Sequence, residues 1–269
     1  LLKKNISAPR LLSENFNQNF IEIEDFGKKT LFDILKIKRS NKFKIYKRIL
    51  VTLIKLQNIK VKKIKNFKKK FYKIPIYSKS LLLEEVNLFF KWYVPHIFNK
   101  KKRFKINSQL RKVISSLLKK IKLPNNTFVH RDFHVSNLML KKRVISVIDS
   151  QDAVYGNIAY DLASLIDDVR LRTSKNMKEM IYKEYLYLNK KKINIKKFKN
   201  DFEILSVLRN LKIIGIFTRL ANRDNKKQYL KLIPHAWELI ELRIKNNYIF
   251  KDLKKNLETN FPKKIRIKK

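Results

Sequence analysis

The chain has 269 residues, of which 44% are hydrophobic and 12% aromatic, enough apolar surface to bury a substantial core, which excludes a disordered or fibrous protein. Its formal net charge is +43, from 65 lysines and arginines against 22 aspartates and glutamates, a balance that ordinarily indicates a nucleic-acid or anionic-membrane partner. Because the excess is lysine spread along the whole chain beside abundant Ile, Asn and Phe, an A/T-rich coding bias explains it more simply, and we expect no specific nucleic-acid partner.

The N-terminal segment predicts a strand, a turn and a short helix. Residues 20–24 alternate apolar and acidic side chains, which is typical of a strand, and Asp25-Phe26-Gly27 is a turn-prone exit from it. Thr30 and Asp33 have the spacing of a capping box, in which side-chain oxygens satisfy the first free amides of a helix. We therefore expect a hinge between a strand and a helical region.

Three amphipathic helices are predicted next. Apolar residues recur at intervals of three and four between Phe43 and Leu56, and again between Leu110 and Ile121. A third helix covers about residues 79–98, with Pro95 near its end. The lysine-rich segment 59–78 between the first of these helices and the third predicts a solvated basic loop.

A short strand, a polar loop and a hairpin follow. Residues 127–129 are strand-like and lead into the loop from His130 to Asn137. Residues 138–148 are two apolar runs around a basic turn, which predicts a β-hairpin whose second strand ends at Asp149. The loop and the hairpin should therefore deliver polar side chains to the same end of the structure.

The remainder is predicted to be helical from Tyr160 onward. Residues 203–221 are apolar on most faces, which indicates a buried central helix. The basic tail beyond about Lys251 is expected to fray.

Several classes of protein are excluded by what the sequence lacks. It contains no cysteine, which excludes a disulfide framework, a thiolate nucleophile and a Cys-ligated zinc site. No apolar run approaches the length of a membrane span, and the segment LLKKNISAPRLL lacks the apolar core of a signal peptide. We expect a cytoplasmic monomer with no membrane partner.

The polar loop and the residue after the hairpin carry the side chains that phosphoryl transfer requires. Asp132 can accept the proton of an acceptor hydroxyl. Asn137 and Asp149 supply a neutral and an anionic oxygen, the ligand types that Mg²⁺ prefers beside nucleotide phosphates. The D-x-x-x-x-N spacing places the base and one metal ligand on a single loop. The hairpin brings the other ligand, Asp149, back to the same end of the structure.

Acidic residues also concentrate around this segment of an otherwise basic chain. Clustered carboxylates repel one another unless a cation or a capping role offsets the repulsion. A bound divalent metal would provide that offset for the cluster, which consists of Asp132, Asp149, Asp152, Asp161, Asp167 and Asp168.

Three longer segments resemble the aminoglycoside phosphotransferase/choline kinase superfamily. They are HRDFHVSNLML, IDSQDAVYGNIAYDLASLIDD and LKIIGIFTRLANRDNKKQYL. Within the superfamily, the segments QDAVYG and GIFTRLANRD are most similar to the bacterial branch that phosphorylates the anomeric hydroxyl of N-acetylmuramate and N-acetylglucosamine in cell-wall recycling. The resemblance covers most of the chain and includes SAPRLL, FIEIEDFG and LFFKWYVPH.

The resemblance implies an α+β, protein-kinase-like fold with a mostly helical C-lobe that holds the catalytic loop and the hairpin. The chain departs from the superfamily at its start, where we expect the β-rich N-lobe to be largely missing, either because the sequence is a fragment or because the protein does not hold ATP in the usual way. It divides the chain into an N-lobe remnant with the hinge at residues 1–27, a C-lobe at residues 28–250 and a basic tail at residues 251–269. The implied activity is a sugar kinase that uses ATP and Mg²⁺, with nucleotide and sugar as its binding partners.

The resemblance also implies a role for each site residue. Asp132 would be the catalytic base, with His130 and His134 beside it in the catalytic loop, and Asn137 and Asp149 would bind Mg²⁺. The remaining roles are the adenine-binding hinge, at Glu24, Asp25 and Phe26, and substrate binding, at Arg219 and Arg223. Asp152 lies near the centre of the acidic segment and can bind metal or sugar, and we group it with the substrate-binding residues.

Other interpretations remain open from the sequence. His130 and His134 are four residues apart, as in a helical zinc pair, although Arg131 replaces the glutamate of a metalloprotease motif. Asp161 can cap a helix, hold the catalytic loop or touch substrate. Arg219, Arg223 and Asp224 can be a surface ion-pair cluster. The whole protein can be a catalytically silent binding module or a basic nucleic-acid-binding protein.

Overall fold

The computed structural model describes residues 1–15, 17–37, 41–65, 69–190 and 193–267. The chain divides into two compact units, the first formed by residues 1–76 and 124–193 and the second by residues 77–123 and 194–269. These two units do not correspond to the lobes and tail that the sequence predicts. That division stays a prediction, as does the loss of most of the N-lobe.

The first unit begins with a hairpin and a short helix. Strand β1 (Leu11–Asn15) pairs antiparallel with β2 (Phe20–Ile23), and helix α1 (Leu31–Lys36) follows. The Asp33 carboxylate accepts hydrogen bonds from the backbone N–H and the hydroxyl of Thr30, both at 2.9 Å. Both the strand and the helix start are therefore as predicted.

Helix α2 (Lys42–Gln57) confirms the first amphipathic helix, since Tyr46, Ile49, Leu50, Leu53 and Leu56 are buried. The segment after it is not a simple loop, because β3 (Lys63–Lys65) pairs antiparallel with β4 (Phe71–Lys73). Lys68 of the predicted basic loop lies outside the described residues. The prediction missed this hairpin because its lysine-rich strands lack an alternating apolar pattern and are exposed.

The strands around the polar loop form two further antiparallel pairs. Strand β6 (Leu138–Lys141) pairs with β7 (Val144–Val147), which confirms the predicted hairpin, and β5 (Thr127–Val129) pairs with β8 (Val154–Gly156). The hairpin turn, Lys142 and Arg143, has positive φ angles of 44° and 62°, the backbone of a type I′ turn. Strand β8 was not predicted, since its three residues are all buried and show no alternation.

Two helices complete the first unit, α6 (Tyr160–Ile166) and α7 (Lys175–Leu188). The buried Tyr185 hydroxyl donates to Gln57 Oε1 at 2.7 Å, and Gln57 Nε2 donates to the carbonyl of Ile158 at 2.9 Å. These bonds join α7 and α2 to the segment that leads into α6, so they hold the three elements together.

The secondary-structure elements in the described residues of the second unit are all helical. They are α3 (Lys79–Leu88), a π-helical turn (Phe89–Tyr93), α4 (Val94–Ile97), α5 (Lys100–Lys119), α8 (Ile195–Arg223), a 3₁₀ helix (Lys227–Leu232), α9 (Ile233–Ile244), a second 3₁₀ helix (Tyr248–Phe250), α10 (Lys251–Asn260) and α11 (Lys263–Arg266).

The helix predicted at 79–98 is continuous but changes its winding. Its π-helical turn directly precedes α4, in which Pro95 occupies the first turn. Proline has no N–H and its ring clashes with the carbonyl four residues back, and a π-bulge relieves that conflict inside a continuing helix. The central helix α8 starts earlier than predicted, where the Asn194 side chain accepts a bond from Lys197 N at 3.0 Å.

The expectation of a frayed C-terminal tail is wrong. Helix α10 buries Leu253 and Leu257, and Phe261 after it is fully buried. The Phe261 ring packs against Trp237 at a centroid distance of 5.5 Å and against Phe89 at 5.4 Å. Burial of these apolar side chains stabilises the segment despite its lysines. Among the helices of the described ranges, none combines the length and apolar character that a membrane crossing requires.

Candidate active site

The polar loop between β5 and β6 is held in a compact shape by its own backbone. His134 N donates to the carbonyl of Asp132 at 3.0 Å, and Asn137 N donates to the carbonyl of His134 at 2.9 Å. The second bond closes a 3₁₀ turn at Val135–Asn137 that runs directly into β6. The loop therefore has a defined geometry before any ligand is considered.

The side chain of Asn137 contacts the other two residues predicted for the chemistry, Asp132 through its backbone and Asp149 through its side chain. Its Nδ2 donates to the carbonyl oxygen of Asp132 at 3.1 Å and lies 3.4 Å from Oδ2 of Asp149. The backbone supports the same arrangement, since Ile148 N donates to the carbonyl of Asn137 at 3.1 Å. The loop and the end of the hairpin thus meet at one place, as their spacing predicts.

The donor set at this place suits a hard cation. Because Asn137 uses its amide nitrogen for both contacts, its oxygen Oδ1 is directed to neither of them. Asp149 is exposed, and Gln151 Nε2 donates to its Oδ1 at 2.6 Å. Mg²⁺ commonly binds proteins through one or two side-chain oxygens and takes its other ligands from water and phosphate. Asn137 and Asp149 fit that pattern.

Two residues of the site have backbone conformations that non-glycine residues rarely adopt. Arg131 has a φ of 73° and Asp149 a φ of 62°, both in the left-handed region. Strained backbone of this kind persists only when surrounding contacts impose it, and it concentrates at functional sites.

Asp161 imposes the conformation at Arg131. Its carboxylate is fully buried and accepts the backbone N–H of His130 at 2.7 Å and that of Arg131 at 3.1 Å. Of the three roles left open for Asp161, the structure supports the one in which it holds the catalytic loop. It does so from the first turn of α6.

His130 is buried and connects the polar loop to the residue before Asp149. His130 is 1% exposed, and its Nε2 lies 3.0 Å from the carbonyl oxygen of Ile148. Burial lowers the pKa of His130, against the opposing effects of that hydrogen bond and of the Asp132 and Asp149 charges. The imidazole is therefore neutral at neutral pH, and its Nε2–H donates to the carbonyl of Ile148.

The helical zinc pair is not what the structure forms. His130 directly follows β5, and the buried His134 precedes the 3₁₀ turn, so the two histidines do not share a helix. Within the described ranges, no group of three or more His, Asp or Glu side chains is arranged to hold a metal ion.

The acidic residues do not form one cluster, which corrects the metal interpretation of their crowding. Asp161 binds backbone amides, as described above. Asp167 pairs with the buried Lys178 at 3.1 Å, and Asp168 accepts the backbone N–H of Arg170 at 3.0 Å. Protein groups therefore offset the charge of half of the six carboxylates. The case for a bound metal rests on Asp149 with Asn137.

The predicted hinge borders a cavity of about 310 Å³ in the first unit. Glu24 and Phe26 line it, whereas Asp25 turns away and accepts the N–H of Gly27 at 2.7 Å. Lys141 contacts the Glu24 carboxylate and lies 4.4 Å from the centre of the Phe26 ring. The other lining residues are Leu2, Ser7, Ala8, Arg10, Lys141, Lys142 and Val144.

The Glu24 carboxylate is held between two cations. Hydrogen bonding to Lys141, and secondarily to Arg10 at 3.2 Å, lowers the pKa of Glu24 to about 2. Neither Lys141 nor Arg10 could be predicted from local patterns, because both reach the hinge only through the tertiary fold. Gln151 was missed as well, although its position two residues after Asp149 is a local signal that a turn could join the two side chains.

The predicted substrate residues lie in both units. Asp152 belongs to the first unit, where its side chain is exposed and its carbonyl accepts a bond from Arg131 at 3.3 Å. Arg219 and Arg223 lie near the end of α8 in the second unit. Arg223 pairs with Asp224 at 2.6 Å and its side chain is 57% exposed, which matches the surface ion-pair alternative for that residue.

Comparisons with known proteins show the family of the chain. Residues 47–191, more than half of the chain, match the phosphotransferase enzyme family (APH). The chain is 26% identical over 247 residues to the N-acetylmuramate/N-acetylglucosamine kinase of Pseudomonas aeruginosa, a match that covers 89% of this chain and 69% of the relative. It is 28% identical to the enzyme of that name from Neisseria meningitidis serogroup B, over 85% of this chain and 68% of the relative.

A solved structure carries the same architecture. A choline/ethanolamine kinase family protein from Mesorhizobium loti is 12% identical and superposes with a TM-score of 0.61, covering 96% of this chain and 80% of that one. The shared fold is the α+β, protein-kinase-like fold of choline and aminoglycoside kinases. With its family match over residues 47–191, this chain belongs to the phosphotransferase enzyme family.

Proposed function

We propose that this phosphotransferase moves the terminal phosphoryl group of ATP to the anomeric hydroxyl of an amino sugar of the N-acetylmuramate or N-acetylglucosamine type, with Mg²⁺ as cofactor. The observation that carries the proposal is the placement of Asn137 Nδ2, 3.1 Å from the Asp132 carbonyl and 3.4 Å from Asp149 Oδ2. A base and a pair of metal ligands on these three residues are what such a transfer requires.

Asp132 is the proposed base. As the sugar oxygen forms its bond to the terminal phosphorus and the bond from that phosphorus to the ADP oxygen breaks, the hydroxyl proton passes to the Asp132 carboxylate. An anomeric hydroxyl is more acidic than an ordinary alcohol, so a positioned carboxylate need only accept its proton late in the transfer. The partly exposed position of Asp132 leaves it accessible to an acceptor.

Asn137 and Asp149 would hold the metal, through Asn137 Oδ1 and the Asp149 carboxylate. When bound, Mg²⁺ neutralises charge on the phosphate oxygens. The contribution of the chain is to keep these two ligands in place, through the hydrogen bond between Gln151 and Asp149 and the anchoring of the loop by Asp161.

The hinge cavity is the proposed site of the nucleotide base. A volume of about 310 Å³ lies at the lower end of the range of small-molecule sites. Apolar lining from Ala8, Phe26 and Val144 suits the faces of a planar ring. The pairing of Glu24 with Lys141 fixes the hinge backbone next to it.

The acceptor class rests on the relatives, whose names give N-acetylmuramate and N-acetylglucosamine as substrates. The roles of Asp152, Arg219 and Arg223 in sugar binding belong to the same proposal. His130 and His134 would shape the catalytic loop without reacting.

The test is an ADP-release assay of the purified protein with ATP and Mg²⁺ against a panel of acceptors. N-acetylmuramate and N-acetylglucosamine are compared with choline, an aminoglycoside and a 1-O-methyl glycoside of N-acetylglucosamine. We expect turnover with the two free sugars, none with the methyl glycoside, and a product whose ³¹P signal couples to the anomeric proton. Turnover of the methyl glycoside would exclude the anomeric hydroxyl as the acceptor. If neither N-acetylmuramate nor N-acetylglucosamine is turned over, the proposal is overturned.

A further inference from the structure

The second unit contains a polar groove that the proposed kinase reaction does not use. It has a volume of about 410 Å³ and lies between the N-terminal part of α8 and the C-terminal end of α9. Lys196 and Lys199 line it from α8, and Arg243 and Tyr248 line it from the opposite wall. Its size is within the range of ligand sites.

The groove is strongly biased toward positive charge. Against the three cations Lys196, Lys199 and Arg243, its one acidic lining residue in the described part of the chain is Glu203. The Glu203 carboxylate already accepts a hydrogen bond from the Asn247 side chain. The potential in the groove therefore favours an anionic ligand.

Arg243 is oriented rather than freely extended. Its guanidinium lies 4.8 Å from the centre of the ring of Phe202, which is 2% exposed. Stacking on a buried aromatic ring holds the planar guanidinium in place, so less side-chain entropy is lost when it contacts a phosphate.

An aromatic side chain stands at the edge of the same groove. Tyr248 is 81% exposed, and Lys251 Nζ lies 5.5 Å from the centre of its ring. An exposed ring among cations is the arrangement with which proteins bind single-stranded nucleic acid, because bases stack on the ring while phosphates contact the cations.

We propose that this groove binds single-stranded nucleic acid without sequence preference, with phosphates at Lys196, Lys199 and Arg243 and a base stacked on Tyr248. The net charge of +43 would accelerate encounter with any polyanion. Charge alone gives uniform attraction over the surface, whereas the groove concentrates cations and an aromatic ring at one place.

The chain offers a matched control on another helix of the same unit. Phe104 in α5 is also 81% exposed, and the exposed Lys100 and Lys101 lie within the preceding turn. This control patch also combines an exposed aromatic ring with two lysines but does not line the groove. It separates binding in the groove from attraction by total charge.

The experiment measures the fluorescence anisotropy of a labelled oligothymidylate of about 15 nucleotides over a series of salt concentrations. Tyr248→Ala is compared with Phe104→Ala, and Lys196→Ala/Lys199→Ala with Lys100→Ala/Lys101→Ala. We expect about tenfold weaker binding for Tyr248→Ala from the lost stacking. The Lys196/Lys199 double variant should lower the slope of log K against log salt by about 1.4, since each phosphate contact contributes about 0.7.

The control variants should change the affinity less than about twofold, and Tyr248→Phe should bind like the original chain because its ring is kept. Unchanged affinity in Tyr248→Ala would overturn the proposal, as would equal losses in the site and control pairs. Thermal unfolding of each variant verifies that these exposed substitutions leave the fold intact.

Discussion

The side-chain nitrogen of Asn137 lies 3.4 Å from Oδ2 of Asp149, which joins the last residue of the catalytic loop to the second residue beyond β7. The residue between β7 and Asp149 is also tied to the loop, because Ile148 N donates to the carbonyl of Asn137 at 3.1 Å. The hairpin register between β6 and β7 therefore sets the separation of the two proposed metal ligands.

Loss of either proposed metal ligand, Asn137 or Asp149, should weaken metal binding and leave the catalytic base Asp132 in place. We expect Asn137→Ala and Asp149→Asn to raise the Mg²⁺ concentration for half-maximal phosphotransfer at least about tenfold, since even second-shell changes at metal sites have effects of that size. Titration of the initial rate with MgCl₂ measures the shift. Asp252→Asn, an exposed acid in α10, is the matched control, and an equal shift in that variant would remove the two residues from the metal site.

Asp161→Ala should destabilise the protein severely. The substitution leaves the amides of His130 and Arg131 without their buried carboxylate acceptor, at a cost of about 3–5 kcal/mol for two charge-assisted bonds. The urea midpoint of the first unit reports the loss. Asp152→Ala, which removes an exposed carboxylate nearby, should change stability by less than about 0.5 kcal/mol, and equal effects of the two variants would contradict the anchoring role.

The Glu24 contacts should make stability depend on pH in a defined window. Because hydrogen bonding to Lys141 lowers the pKa of Glu24 from 4.5 to about 2, the unfolded chain binds a proton first as the pH falls. The stabilisation is complete above about pH 5 and is lost as the pH falls through 4.5 toward 2.

The difference in melting temperature between the original chain and Glu24→Gln, followed from pH 7 to pH 3, measures this contribution. It should be constant near neutrality and shrink in acid. In a Lys141→Met background the difference should become much smaller, since the first cause of the lowered pKa is gone. A difference that grows as the pH falls would contradict the assigned sign.

Gly215→Ala should destabilise the second unit, although the same change in an ordinary helix stabilises it by about 1 kcal/mol. A Cβ at this position would lie 2.3 Å from the carbonyl carbon of Leu88 and 2.4 Å from the nitrogen of Phe89. Backbone atoms of a packed helix cannot move aside cheaply, so we expect a loss of about 1–3 kcal/mol. Chemical denaturation compares this variant with Lys197→Ala on the exposed face of α8, and a stabilising Gly215→Ala would refute the close approach.

The sequence predicted the parts of the site that depend on local spacing. Asp132, Asn137 and Asp149 are separated by one loop and one hairpin, so motif spacing and strand alternation suffice to bring them together. The capping of α1 by Asp33 was predicted for the same reason, since its partner Thr30 is three residues away.

The features that could not be predicted from the sequence depend on contacts between distant segments. Whether Asp161 would cap a helix or hold the loop is decided by the packing of α6 against residues about 30 positions earlier in the chain. The pairing of Lys141 with Glu24 spans still more sequence. The helical tail was missed although Leu253, Leu257 and Phe261 recur at intervals of four, because the surrounding lysines suggested a solvated segment.

The central claim is that Asp132 acts as the base while Asn137 and Asp149 hold the metal. The most direct measurement is the rate of phosphotransfer to N-acetylmuramate by Asp132→Asn, at saturating ATP and over a range of Mg²⁺ concentrations. We predict a fall in kcat of about 10²–10⁴-fold with the Mg²⁺ dependence unchanged. A kcat within about twofold of the original, or a loss that high Mg²⁺ restores, would contradict the assignment.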